Sequence, residues 1–259
     1  MSEQQFPSHN GAVHHDCLIA FYREYGTIYL NYMENKIIVI TGASHGLGKS
    51  LAEILASQKA QVVISARNGD ELNAVAKNIG ATAIVGDVTK EADMQNLVRQ
   101  TISKFGRIDI FINNADVWLP KSFIEHIDMK RAHDVFEVNL FGVAYATRAV
   151  LPEMKKENKG MIVNIVSTSA VEGRPQQTIY SASKFAARGF TESLREELKG
   201  TNIKVLGVYP GGIKTHLFDE SAPAELNDFM TPESVAEKIV ANMSSANPDP
   251  NLIIRRPGQ

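Results

Sequence analysis

Cysteine is nearly absent from this chain. Cys17 stands alone, so no internal disulfide can brace the fold, and stability has to come from packing, as is usual in a reducing compartment such as the cytoplasm. Nor is there a surplus of charge: 27 Lys and Arg face 29 Asp and Glu, a formal net charge of −2, which gives no electrostatic support for binding a nucleic-acid backbone. Long hydrophobic runs are missing too. The apolar segment 17–30 is interrupted by Arg23 and Glu24, is too short and too charged to span a membrane, and lacks the basic flank, unbroken apolar stretch and cleavage site of a secretory signal. His14, His15 and Cys17 lie close together, but no other ligand cluster has suitable spacing, so no metal site is expected.

Apolar residues make up 44% and charged residues 22%, which excludes wholesale disorder, and 259 residues suit one domain with a short appendage. Residues 1–35 differ from the rest and are read as an N-terminal extension; residues 36–259 are read as one domain. From Lys36 onward, β-branched runs at 36–41, 61–65, 83–85, 108–113, 161–167 and 203–209 alternate with amphipathic stretches, and 252–254 is read as a seventh strand. The runs lack polar alternation, as strands buried on both faces do. Leu47, Leu51, Ile54 and Leu55 fall on one helical face, and Met94, Leu97, Val98 and Ile102 on another, after a capping candidate at Thr89. Residues 129–156, bent or ended at Pro152, and 177–199 are long helical candidates. The stretch 216–229, with Pro223 and no periodicity, is read as a lid. Right-handed crossovers wind this order into an α/β architecture: a single-domain, doubly wound parallel sheet of about seven strands with helices on both faces. Ligands then bind beyond the carboxyl ends of the strands.

Directly after the first strand comes Thr41-Gly42-Ala43-Ser44-His45-Gly46-Leu47-Gly48. Its glycines permit a tight turn and close approach to a pyrophosphate, and the following helix offers free N–H groups and a positive dipole end. At the end of the second strand no carboxylate waits for ribose hydroxyls. Arg67 stands there instead, suited to a 2′-phosphate, with His45 adding positive charge, so NADP is favoured over NAD; a solvated Arg67 is the plainer alternative. Asp87, followed by Val88, either accepts from an adenine amino group or serves only as a turn or capping aspartate.

Tyr180 and Lys184 are four apart on a helical candidate and share a face. Ser167 lies at the carboxyl end of the fifth strand. Reducing a carbonyl requires a proton for the developing alkoxide, and a phenol with a pKa of about 10 is a poor acid/base at neutral pH. A nearby ammonium favours the phenolate, so Lys184 is the expected tuning group, while Ser167 positions the substrate oxygen.

Taken with these motifs, the sequence resembles the short-chain dehydrogenase/reductase family from Lys36 to the C-terminus, a Rossmann-type fold. The family's T-G-x-x-x-G-x-G turn appears at Thr41 to Gly48, its N-N-A segment at Asn113, Asn114 and Ala115, and its active-site asparagine at Asn139. Its serine stands thirteen residues before its tyrosine, as Ser167 does before Tyr180, and its P-G segment is Pro210-Gly211. The resemblance implies that Asn139, Ser167, Tyr180 and Lys184 are catalytic, with Asn139 holding a relay water and Lys184 also binding the nicotinamide ribose. It implies that Asn113, Asn114 and Ala115 border the cofactor, that Ile213 and Thr215 hold the carboxamide, and that the protein pairs into homodimers or homotetramers through its long helices. Ser169 is assigned a structural role. The family usually continues N-N-A with glycine, where this chain has Asp116. That carboxylate could recognise a polar or cationic substrate, disfavour substrate binding, or face solvent; Trp118 walls the same pocket or is simply packed. The expected activity is hydride transfer between NADP and a small carbonyl or alcohol, with a non-catalytic dinucleotide-binding sensor as the alternative.

Overall fold

The computed structural model describes residues 32–223 and 225–256. Most of the extension, with His14, His15 and Cys17, lies outside the described residues. Met33, at its end, is fully buried in the core, and its carbonyl accepts from the Lys36 N–H at 3.1 Å.

Seven strands form one parallel sheet: β1 (Ile37–Thr41), β2 (Gln61–Ser65), β3 (Thr82–Ala83), β4 (Ile110–Asn113), β5 (Gly160–Ile165), β6 (Ile203–Pro210) and β7 (Asn251–Ile254), in the order β3-β2-β1-β4-β5-β6-β7. Successive strand residues point to opposite faces, and both faces are covered. Ile38, Ile40, Val62, Ile64, Ile110 and Ile112 enter one core with Leu47, Leu51 and Leu55 of α1 (Gly46–Ser57), Leu72 and Val75 of α2 (Gly69–Ile79), and Val235 and Ile239 of α7 (Pro232–Ser244). Val39, Val63, Phe111, Ile162 and Val205 enter the other, with Met94 and Leu97 of α3 (Glu91–Phe105), Ala146 and Val150 of α5 (Val143–Glu157), and Leu194 of α6 (Thr178–Glu197). This double burial explains why the strands read as continuous apolar runs.

Several boundaries differ from the sequence expectation for physical reasons. The edge strand β3 is two residues long and pairs only with β2, at Val63 with Thr82 and Ile64 with Ala83. Thr89 does not cap α3: its N–H and hydroxyl both donate to Asp87 Oδ1, at 3.0 and 2.9 Å, and Lys90 holds the cap position without a side-chain bond. The long helical candidate begins as α4 (Met129–Phe136), passes through a π-helical segment at Glu137–Gly142, and continues as α5. Pro152 does not end it; buried Val150 and Met154 anchor the flanking turns, so packing outweighs the one backbone hydrogen bond that proline forfeits.

After β3 the chain returns to place β4 on the other side of β1. Loops leaving β1 and β4 therefore diverge, and a cleft opens at their carboxyl ends. Among the described residues, no helix is long and apolar enough to cross a membrane, and no cluster of His, Cys, Asp or Glu could hold a metal ion.

Candidate active site

The turn after β1 is shaped by two glycines with positive φ, Gly42 at 65° and Gly46 at 55°. A Cβ on Gly42 would lie 2.7 Å from Ala115 Cα, and one on Gly48 would lie 2.4 Å from the Gly42 carbonyl oxygen and 2.5 Å from Asn114 Nδ2. Asn114 secures this crossing by donating from Nδ2 to the carbonyls of Thr41 and Gly42, at 2.9 and 3.0 Å. The Thr41 hydroxyl accepts from the backbone of Asn114 at 3.1 Å. Helix α1 then starts with no side-chain cap and no acid in its first turn, leaving its positive end toward the cleft.

The cleft has a volume of about 480 Å³ and brings most of the expected cofactor residues together: Gly42, Ser44, His45, Gly46, Leu47, Gly48, Arg67, Asp87, Val88, Asn114, Ala115, Pro210, Gly211, Ile213 and Thr215 all line it, as do Ser167 and Tyr180. The Ser65 hydroxyl, buried at the cleft end of β2, has no hydrogen-bond partner among the described residues. A free buried hydroxyl, a turn too tight for side chains and an uncapped helix start together fit a dinucleotide phosphate and ribose. Asn113 lies below the cleft surface rather than in it. Only 3% exposed, it donates to Asn164 Oδ1 at 2.8 Å and ties β4 to β5. Asp87 acts as a turn aspartate through Thr89 while also lining the cleft. Glu71, in the first turn of α2, is a carboxylate on the cleft wall that the sequence did not single out.

At the other end, Leu217, Phe218, Pro223, Glu225 and Phe229 of the segment 216–229 line the cleft. Phe218 packs edge-on against Trp118 with ring centroids 5.1 Å apart, and against Phe229 at 5.3 Å. Trp118 is therefore both a wall and a packing residue.

Tyr180 and Lys184 project from α6, with the ammonium 5.6 Å from the tyrosine ring centroid. Between their polar ends stands Asp116. Its Oδ2 accepts the Tyr180 hydroxyl at 3.3 Å, and its Oδ1 lies 2.9 Å from Lys184 Nζ. Burial above all, and then the Asp116 charge, hold the Tyr180 phenol well above its ordinary range; a hydrogen bond with Ser167 and the charge of Arg174 pull the other way. Burial pushes the Asp116 carboxyl up, and Lys184 draws it back. The sequence predicts a phenol drawn down by Lys184. Here burial first, and then the neighbouring Asp116 charge, act against that pull.

Asn139 sits in the π-helical segment, a distortion that recurs at functional sites. It donates to the Val117 carbonyl and accepts from the Val117 N–H, both at 3.0 Å, and donates to Ser183 Oγ at 3.2 Å. Ser183 donates in turn to the Tyr180 carbonyl at 2.8 Å. Asn139 is thus a brace for the loop that carries Asp116. Ser183, one turn beyond Tyr180, escaped the sequence reading because a helical serine carries no signal of its own. Ser169 fills the structural role expected of it, its N–H donating to Ser167 Oγ at 3.1 Å.

Residues 36–226 match the model of the short chain dehydrogenase family. The chain belongs to that family. Two uncharacterised oxidoreductases of Staphylococcus saprophyticus are similar to it, one 34% identical over 202 residues, covering 76% of this chain and 82% of the relative, the other 39% identical over 192 residues, covering 71% and 81%. Among solved structures, a 3-ketoacyl-(acyl-carrier-protein) reductase from Brucella melitensis complexed with NADH is 30% identical, with a TM-score of 0.80 over 86% of this chain and 98% of its own. An alcohol dehydrogenase from Thermococcus sibiricus complexed with 5-hydroxy-NADP, 24% identical, shares the fold with a TM-score of 0.79 over 87% and 98%. This short-chain dehydrogenase is accordingly an oxidoreductase.

The crowding at Gly48 yields a direct expectation. Gly48→Ala displaces the Asn114 clamp and should weaken dinucleotide binding by about tenfold or more, roughly 1.4 kcal/mol, measured by fluorescence titration with NADPH; unchanged affinity would show that the turn does not hold the cofactor.

Proposed function

We propose that this protein transfers a hydride between NADP and a small carbonyl or alcohol, with Tyr180 as general acid/base. The observation that carries this reading is the convergence of the Tyr180 hydroxyl, Ser167 and the glycine turn on one cleft. The bound nicotinamide supplies or accepts the hydride. Ser167 holds the substrate oxygen beside the Tyr180 hydroxyl, and Tyr180 gives the proton that the developing alkoxide takes, or removes it in the reverse direction. Phe218, docked on Trp118, excludes water from that end of the cleft.

Arg67 supports the NADP assignment. It is exposed at the end of β2 and lines the cleft with His45, where a guanidinium can pair with a 2′-phosphate. Exposed Phe141, at 43%, and Phe185, at 42%, lie on the long helical segment 129–157 and on α6; they support pairing of two copies through these helices. A second reading, cofactor binding without turnover, draws on the Asp116–Lys184 pair, which engages the amine that the family uses on the ribose.

Tyr180→Phe should lower turnover of any accepted carbonyl by about a hundred- to ten-thousandfold, followed as NADPH oxidation. A substrate whose turnover ignores the substitution would contradict the role of Tyr180, and cofactor binding without turnover across a broad carbonyl panel would favour the second reading. Arg67→Ala should weaken NADPH binding about tenfold or more and leave NADH nearly unchanged; equal losses in the two titrations would refute the NADP preference. Sedimentation at micromolar concentration should show a dimer or tetramer, and a monomer would count against pairing through the helices.

A further inference from the structure

Asp116 stands where the family usually carries glycine, in the loop leaving β4. Its two oxygens are divided between the two residues that the family uses for proton transfer: Oδ1 lies 2.9 Å from Lys184 Nζ, and Oδ2 accepts the Tyr180 hydroxyl at 3.3 Å. The arrangement is held from both sides. Lys184 is 2% exposed and Asp116 20%, and the next residue, Val117, is fixed through both backbone polar groups by Asn139. A side chain in so constrained a loop is not a solvated surface group, and no glycine could make either contact.

We propose that Asp116 is a positioning residue: by bridging the Tyr180 hydroxyl and the Lys184 ammonium it keeps residue 180 a protonated phenol, so that the site is set to give a proton to a carbonyl rather than to take one from an alcohol. This rests on the oxidoreductase reading above and adds a direction to it. Removing the proton from Tyr180 would leave a phenolate beside a carboxylate, two like charges in a poorly solvated pocket, and like charges at such distances oppose ionisation. The charged and titratable groups facing Tyr180 are Asp116 from the β4 loop, Lys184 from its own helix, and Arg174 from the segment between β5 and α6. Lys184 and Arg174 favour the phenolate. Asp116 answers Lys184 at contact distance and receives the phenol's own hydrogen bond, and the phenol is held above its ordinary range.

In the favoured direction the carbonyl carbon gains a C–H bond, its hydrogen and electron pair coming from the reduced dinucleotide, which is oxidised. The carbonyl oxygen gains the proton of Tyr180, whose O–H bond breaks with its electron pair left on the phenolate. A solvated proton then re-forms the Tyr180 O–H bond, so that the reduction consumes one proton from solution, and the carboxylate at 3.3 Å makes its return favourable.

The experiment is a pH titration of the cofactor-free chain with tyrosine labelled by carbon-13 at the ring carbon bearing oxygen, the Tyr180 resonance being assigned by its loss in Tyr180→Phe. Wild type is compared with Asp116→Asn, which keeps an oxygen for Lys184 but no charge, and with Asp116→Gly, which restores the usual family residue. Tyr180 should ionise about one pH unit or more lower in both variants. Ionisation at the same pH in all three proteins, or in none of them below alkaline unfolding, overturns the proposal. In active preparations, the high-pH fall of kcat/KM for carbonyl reduction should move down with the same variants, and an unmoved limb likewise overturns it. A resonance that moves in a protein reducing no carbonyl upholds the bridge and counts against the catalytic reading instead.

Discussion

A lysine ammonium buried to 2% exposure is the constraint around which this site is organised. A buried charge that loses its partner costs about 3–5 kcal/mol, and in this chain the partner is Asp116, 2.9 Å away. The carboxylate can serve only because its loop is immobilised, and the loop is immobilised because Asn139 spends its amide on the Val117 backbone. The π-helical segment that presents Asn139 is in turn embedded in the long helical stretch packed on the sheet. Fold, loop and charge form one chain of dependence that ends at the Tyr180 hydroxyl.

The sheet contributes the place. Because strand order reverses between β1 and β4, the loops after these strands part, and the Gly42 turn and the Asp116 loop become opposite sides of one cleft. They meet where Gly42 passes Ala115 too closely for any side chain. The glycine turn and the Asp116 loop are therefore adjacent by topology, with Asn114 clamping one to the other.

Much of this was legible in the sequence. Double-sided burial makes the strands read as apolar runs, and the spacing that singled out Ser167, Tyr180 and Lys184 corresponds to a cleft lined by Ser167 and Tyr180, with Lys184 buried one turn beyond Tyr180. Local detail was less visible, because it depends on partners the chain supplies elsewhere. Thr89 reads as a cap until Asp87 takes both of its donors. The π-helical turn at Glu137–Gly142 hides in a stretch whose apolar spacing is helical throughout. Asp116 is conspicuous as a departure from pattern, yet its role is set by residues more than sixty positions away, Tyr180 and Lys184, and no local signal reports which way its side chain turns.

Such a site inverts the usual assignment of roles among charged groups. Where an unopposed lysine would draw a phenol toward ionisation, burial and a carboxylate set between the two oppose that pull, and the carboxylate accepts the phenol's hydrogen bond. A crystal structure of the chain at neutral pH measures this most directly. Density for the Asp116 carboxylate should lie between the Tyr180 hydroxyl and the Lys184 amine, within hydrogen-bond reach of both; a residue 116 turned to solvent, with Lys184 paired elsewhere, would contradict it.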